Sequence, residues 1–391
     1  MTSCSRGPSA RSSAVEPFRA MAFMAEANRL RADGCNVLSL AVGQPASPAP
    51  QAARDAAHAM IRQGRIAYTD AMGRIDLRRA IAGHYRHAYG VEIEPSRVMI
   101  TSGASGGFNI AFLAAFEAGD NIALASPGYP AYRNIMRALG IVPVEIEVGP
   151  SDAYILTRDH LEAAFERAPF KGLLIASPAN PTGTMTPPAE MTRIAAFCRE
   201  TGVRLISDEI YHRLSFGVEE RSALQDLDEA IILNSFSKYY CMTGWRIGWM
   251  VLPADLVKAA ERLGQNIYIS APELSQVAGL AALGASDELD RVRDSYLPKR
   301  RMMMDRLPAI GFQAIAPIDG AFYAYAQVPQ GFHSATAFAE ALLAQCHVAL
   351  TPGLDFDPAR GDGFVRLSYA GDETEIAEAL DRIAGFVVRH G

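Results

Sequence analysis

The stretch SFSKYYCMTGWRIGWM, residues 235–250, places two cations, Lys238 and Arg246, among residues that are otherwise apolar, aromatic or hydroxylated. Charged side chains are seldom buried without a partner. A surface strand with two solvated charges is one reading of the stretch. A site for something anionic and reactive between the two cations is the other. The flanks carry the fold. AIILNSFS (230–237) and RIGWMVLP (246–253) are short apolar runs of strand length, and RVMITSG (97–103), NIALASP (121–127), GLLIASP (172–178) and VRLISDE (203–209) precede them. Helical patterns such as GGFNIAFLAAFEAG and PPAEMTRIAAFCRETG fill most of the intervals. Apolar strands alternating with helices predict an α/β fold, with a mainly parallel sheet covered on both faces. Polar and glycine-rich residues gather just after the strands, where such sheets carry their ligand sites.

Outward from this centre the pattern changes. Residues 17–32 read as an amphipathic helix with Phe18, Met21, Met24, Ala25 and Leu30 on one face, and NVLSLAVG (36–43) as a strand ending in glycine. After about residue 285 a single charged helix, SDELDRVRDSYLPKRRMMMDRL, leads into GAFYAYAQV, a helix, FVRLSYAG and a final helix. This predicts a smaller α+β domain. The expected organisation is a flexible N-terminal tail over 1–15, a large domain over 48–285, and a small domain made of 16–47 together with 286–391. The run Met302–Met304 reads as helix packing.

Composition bounds the function. The 391 residues are 49% hydrophobic and 20% charged, with a net charge of −6. That is an ordinary globular balance, and it argues against nucleic acid or a basic membrane contact as the main partner. No apolar run reaches the roughly 18–20 residues that span a bilayer. The N-terminus lacks the apolar core of a secretory signal and reads as a disordered tail rather than a transit peptide. The five cysteines, Cys4, Cys35, Cys198, Cys241 and Cys346, are scattered without a CxxC pair. They read as reduced thiols of a cytoplasmic protein and give no metal site.

The strand ends supply the chemistry. TSGASGG (101–107) follows a strand and opens a helix, which is either a plain turn or a phosphate site made of free N–H groups and small residues. SPANPTG (177–183) is a turn that leaves the Asn180 amide free to face a cleft. ISDEIYHRL (206–214) puts Asp208 at the end of an apolar strand, as a helix cap or as a charge with a buried cationic partner, with Tyr211 three residues on. Ser235, Ser237, Lys238 and Arg246 complete the set. A helix N-terminus, hydroxyls and an arginine suit a phosphate. A carboxylate suits a protonated ring nitrogen, an amide a ring oxygen, and a lysine a Schiff base. Together these describe pyridoxal 5′-phosphate.

From about Pro17 to the last helix, the chain resembles the class I and II aminotransferases, the fold-type I pyridoxal-phosphate enzymes related to aspartate aminotransferase. SPANPTG, SDEIY, SFSKYYCMTGWRIG and FVRLSYA occur in that family's order and spacing. The resemblance implies that Lys238 is the Schiff-base lysine and that Asp208 pairs with the pyridine nitrogen. Tyr211 and Asn180 would bond the ring's phenolic oxygen. Ser235, Ser237, Arg246 and the Gly103, Ala104, Ser105 turn would hold the phosphate, and Tyr129 would stack on the ring. Arg366 would clamp the substrate α-carboxylate beside Gly43. Tyr68 would reach the phosphate of a neighbouring subunit, which implies a homodimer with shared active sites.

The implied reaction moves an amino group from an L-amino acid to a 2-oxo acid by a ping-pong mechanism. In it a neutral Lys238 acts as the general base. A carbon–sulfur β-eliminating lyase, or an aminocyclopropane-carboxylate-forming lyase, would share Lys238, Asp208 and Arg366. A regulator with an aminotransferase-like domain would need an appended DNA-binding module, and a nicotinamide-dependent dehydrogenase would need GxGxxG after a first strand. Trp245 and Trp249 read as packing, His212 as structural, and Arg360 carries no site signal. No motif selects the donor side chain.

Overall fold

The computed structural model describes residues 7–391. A short strand, β1 (Leu38–Ser39), precedes the main sheet. That sheet is built from β2 (Val98–Thr101), β3 (Asn121–Ser126), β4 (Val142–Glu147), β5 (Gly172–Ala176), β6 (Arg204–Asp208), β7 (Ile231–Ser235) and β8 (Gly248–Val251). Their spatial order is β2-β8-β7-β6-β5-β3-β4. All neighbours pair in parallel except β8, which opposes both β7 and β2. The expectation of a mainly parallel, two-sided sheet therefore holds.

Alternate residues of each strand feed two cores, as the two-residue period requires. Ile100, Leu173, Leu205, Ile232 and Trp249 enter one core. Met99, Leu174, Ile206, Leu233 and Met250 enter the other, beneath the helices Gly103–Ala115, Pro130–Leu139 and Val257–Ile267. Strand β4 escaped the sequence reading. It lies at the sheet edge, is only partly covered, and carries Pro143, Glu145 and Glu147, so it lacks the apolar run of an inner strand.

The C-terminal part builds a second, antiparallel sheet. It comprises β9 (Tyr323–Gln327), β11 (Thr351–Pro352) and β12 (Phe364–Ser368) in the order β11-β12-β9, and β10 (Val348–Ala349) pairs in parallel with β1. Of NVLSLAVG, only Leu38 and Ser39 form a strand. The single charged helix expected from residue 286 is two helices, Ser286–Asp294 and Tyr296–Ile310. Pro298 explains the break: it falls in the first turn of the second helix, where a missing N–H is tolerated.

The helix expected over 17–32 runs Arg19–Ala32, and its core face is Phe23 and Ala27. Ala25 is exposed, contrary to its expected place on the buried face. Phe18, Met21 and Met24 form a separate stripe that lines a cavity. Of the expected flexible tail, residues 1–6 and with them Cys4 lie outside the described residues; Ala10–Ser13 form one helical turn capped by Ser9. Cys35, Cys198, Cys241 and Cys346 are free thiols. No helix among the described residues is long and apolar enough to cross a membrane.

Candidate active site

Strands β5, β6 and β7 end at Ala176, Asp208 and Ser235, and the chain beyond each enters the same cleft. A cavity of about 370 Å³ opens there between the main sheet, the antiparallel sheet and the Arg19–Ala32 helix. Gly43, Ala104, Ser105, Tyr129, Asn180, Asp208, Tyr211, Ser237, Lys238, Arg246 and Arg366 all line it. Of the other residues singled out in the sequence, Gly103 and Ser235 lie just behind this lining, whereas Tyr68 is outside it and 79% exposed.

The chain has four lysines, at 171, 238, 258 and 299, and of these Lys238 lines the cavity. Its Nζ donates to the carbonyl of Gly43 at 2.7 Å. Burial, and then the positive charges of Arg366 and Arg246, push its pKa down to about 8, against the opposing pull of Asp208. Near neutral pH this amine is therefore far closer to its neutral, nucleophilic form than an exposed lysine.

Asp208 is 2% exposed at the end of β6. Its Oδ1 accepts from the Ile210 N–H at 3.1 Å, and its Oδ2 accepts from the Tyr132 hydroxyl. Burial raises its pKa to about 6, while these two hydrogen bonds hold it down. Among the described residues it has no ion-pair partner, so a buried carboxylate faces the cavity with no cation of its own.

Arg366 presents the opposite case. The residue is 6% exposed, stands on β12, and makes no ion pair among the described residues. Its guanidinium donates to Asn180 Oδ1 at 2.9 Å and to the Ala41 carbonyl at 2.7 Å. It lies 4.5 Å from the Tyr323 ring centre and 4.8 Å from that of Phe356, and Nε has no hydrogen-bond partner. A guanidinium fixed this way, between aromatic faces and without a carboxylate, can accept a carboxylate in two parallel hydrogen bonds.

Gly103 and Arg246 are in close contact at one end of the site. Gly103 has φ +69°, a conformation that favours glycine, and a Cβ there would stand 2.6 Å from an Arg246 guanidinium nitrogen and displace that side chain. Arg246 makes no ion pair among the described residues and bonds only the Thr243 carbonyl, at 3.1 Å. The first turn of the Gly103–Ala115 helix, whose N–H groups have no intrahelical acceptors, reaches the cavity at Ala104 and Ser105. Ser235 Oγ donates to Ser237 Oγ at 2.9 Å and accepts from the Ser237 N–H at 3.1 Å, which fixes the loop ahead of Lys238.

Two tyrosines escaped the sequence reading. Tyr132 stands one helical turn beyond Tyr129, a spacing that could have placed it on the same face. Tyr323 shares a 2.8 Å hydroxyl–hydroxyl bond with Tyr211, and a Cβ on Gly43 would lie 1.9 Å from its Oη. His212 is buried against Tyr89, 2.8 Å from its hydroxyl, and Trp249 is buried in the core beneath the site. No metal-binding cluster of His, Cys, Asp and Glu exists among the described residues.

Comparison with known proteins defines the class. The family profile "Aminotransferase class I and II" matches residues 36–383, and the chain belongs to this family. It is 46% identical over 378 residues to a valine–pyruvate aminotransferase of Mycobacterium tuberculosis, covering 95% of this chain and 97% of that one. An aminotransferase crystal structure from M. tuberculosis superposes with a TM-score of 0.94 at 44% identity, covering 98% of this chain and 99% of the other. The aspartate aminotransferase of Thermus thermophilus, solved with maleate, superposes at 0.91 with 31% identity, covering 97% and 99%. The fold is thus that of the aspartate aminotransferase-like, fold-type I enzymes, and the protein is an aminotransferase.

Proposed function

We propose that this aminotransferase uses pyridoxal 5′-phosphate, bound covalently through Lys238, to move the amino group of an L-amino acid to a 2-oxo acid in two half-reactions at one site. The observation that carries the proposal is the placement of Lys238. It is an amine with a depressed pKa, in a cavity it shares with two arginines that have no carboxylate and one buried carboxylate that has no cation. The residues present fit the cofactor. Arg246, Ser235, Ser237 and the Gly103, Ala104, Ser105 turn would hold the phosphate. Asp208 would hold the pyridine nitrogen, Tyr211 and Asn180 the phenolic oxygen, and Tyr129 a ring face. When bound, the cofactor supplies a carbonyl for the amine and a ring that withdraws the electrons left at Cα.

The chain's own residues do the rest. Arg366 receives the α-carboxylate, a bidentate task that suits its planar fork. Lys238, in its neutral form, would take the proton from Cα and deliver it to the former carbonyl carbon of the cofactor. Tyr132 holds the Asp208 carboxylate in place, and Tyr323 holds Tyr211.

The apolar side chains that line the cavity include Phe18, Met21, Met24, Val42, Ile135 and Phe356. Within the cavity the arginines are Arg246 and Arg366, and both have the tasks given above. An apolar donor therefore suits this chain better than an acidic one, in keeping with the valine–pyruvate activity named for its M. tuberculosis relative. A β-eliminating lyase would use the same residues; the names of the relatives favour transfer.

The proposed unit is a homodimer with shared sites. Tyr68 is exposed beside Ile66, and the adjoining segment exposes Ile267 and Ile269, an apolar strip that suits a second copy. The proposed division is a large domain over 48–285 and a small one made of 16–47 with 286–391, in line with the β1–β10 pairing. The free thiols suit a cytoplasmic setting.

A donor alone tests the proposal. Valine or alanine added to the yellow holoenzyme should convert it stoichiometrically to the amine form of the cofactor, and pyruvate or 2-oxoglutarate should reverse the change. Continuous release of ammonia with no amino transfer would support the lyase instead.

A further inference from the structure

The Arg19–Ala32 helix supplies Phe18, Ala20, Met21 and Met24 to the cavity, yet its N-cap residue, Phe18, has no side chain able to cap it. The cap comes from the far end of the chain. Asp355 is 5% exposed, and its two oxygens accept from the Arg19 N–H at 2.9 Å and the Ala20 N–H at 2.8 Å. Among the described residues it makes no ion pair, whereas its buried neighbour Asp357 is held by Arg360 at 2.8 Å. The Asp355 carboxylate is therefore given wholly to the first turn of one helix, where a negative charge is favourable and two orphan donors need an acceptor.

The placement of this cap links three parts of the site. Asp355 directly precedes Phe356, which packs on the Arg366 guanidinium. Its own carbonyl accepts from Arg133, on the helix that carries Tyr132. From that same helix Asn134 donates to the Glu16 carbonyl at 3.1 Å, just ahead of the capped turn. Phe18 then stacks on Tyr129, with ring centres 6.1 Å apart and planes 25° from parallel.

We infer that Asp355 is a positioning residue: by capping the Arg19–Ala32 helix from across the chain, it holds Phe18, Met21 and Met24 as the wall that grips an apolar donor side chain. The wall stands on the mouth of the cavity, and Met21 is 56% exposed. Without the cap, the first turn has no local cap and no fully buried residue before Phe23, and keeps only the Asn134–Glu16 bond and the Phe18–Tyr129 stack. A donor with a long side chain loses contacts when that turn loosens. Alanine, whose methyl group reaches little of the wall, does not. The inference rests on reading the cavity as the amino-acid site.

The test follows the half-reaction of the full-length holoenzyme, in which each donor alone changes the cofactor absorbance. Rate against donor concentration gives an apparent Kd and a limiting rate for alanine, valine, leucine and methionine. Asp355→Ala should raise the apparent Kd for leucine and methionine roughly tenfold and that for alanine less than about twofold, with limiting rates little changed. Asp355→Asn, whose amide oxygen still accepts one N–H, should fall between. On a Met21→Ala background, where the wall is already breached, Asp355→Ala should add less than about twofold, because the two residues act through one structure. Equal weakening of alanine and leucine, a loss confined to the limiting rate, or full additivity with Met21→Ala would each overturn the inference while leaving the proposed reaction standing. A wild-type holoenzyme that responds to no donor would instead overturn the reading of the cavity itself, and this inference with it.

Discussion

Replacing Gly43 by alanine adds one methyl group at the point where the site is most tightly packed. The new Cβ would lie 1.9 Å from Tyr323 Oη, 2.8 Å from Cζ and 3.0 Å from Cε1. Ordinary contact begins near 3.4 Å, so the hydroxyl has to retreat by about 1.5 Å. Such a shift exceeds the slack in its 2.8 Å bond to Tyr211. It also disturbs the 4.5 Å stack of Arg366 on the Tyr323 ring, and the peptide that moves carries the carbonyl bonded by Lys238. Overpacking of this kind costs about 1–3 kcal/mol, and misplacing a catalytic constellation by about 1 Å costs on the order of 10²-fold in rate. Gly43→Ala should therefore lower the unfolding free energy by about 1–3 kcal/mol and kcat/KM by about 10²-fold, read by denaturant unfolding and steady-state kinetics. Gly43→Ala combined with Tyr323→Phe should recover part of both losses, since the remaining contact at 2.8 Å needs a much smaller shift. A Gly43→Ala enzyme with unchanged stability and activity, or a pair of losses that simply add, would refute this reasoning.

Arg366→Lys keeps the charge but loses the fork that bonds Asn180 and Ala41, so KM should rise by about 10–10²-fold for every amino-acid donor alike, measured across a donor panel. Removing the cofactor exposes the Lys238 titration. With a folded-state pKa of about 8 against an ordinary 10.5, the unfolded chain binds more protons between these values, so cofactor-free protein should gain stability from this group as pH rises from about 8 to 10.5. The same titration should make reuptake of pyridoxal phosphate faster as pH rises through about 8, followed by absorbance; a flat profile would contradict the depressed pKa. If Tyr68 completes the partner's site, mixing a Lys238→Ala chain with a chain disrupted at Tyr68 should restore up to about half of normal activity per hybrid dimer, because one site then carries neither lesion. Activity fixed at the average of the two parents, with subunit exchange demonstrated, would mean that Tyr68 works within its own chain or not at the site.

Much of this was legible in the sequence because the relevant stretches are local. Asp208, Ser235 and Lys238 stand at or just beyond the ends of apolar strands, and a parallel sheet brings such ends to one edge whatever the details of packing. Gly103 and Arg246 were each visible as motif residues, although their mutual contact was not. The missed features depend on long-range placement. Tyr323 is one aromatic among several in GAFYAYAQV, and only the antiparallel pairing of β9 with β12 brings it to Arg366 and Gly43. Asp355 caps a helix more than three hundred residues earlier in the chain, which no local pattern reveals. The edge strand β4 and the helix break at Ser295 were lost for a different reason: partial exposure dilutes the apolar period of β4, and charged residues on both sides of Ser295 hide the break.

The central claim is that Lys238 carries the cofactor, and borohydride reduction followed by peptide mapping tests it most directly. The chain offers four possible lysines. Lys171 is paired with Asp120 at 2.7 Å, Lys299 donates to the Gly371 carbonyl at 2.6 Å, and Lys258 lies on a helix away from the cavity. Reduction of the yellow holoenzyme should fix one pyridoxyl group per chain on the peptide that contains SFSKYY, with the other three lysines unmodified. A stable label on Lys171, Lys258 or Lys299, or an active enzyme that takes up no label, would contradict the assignment.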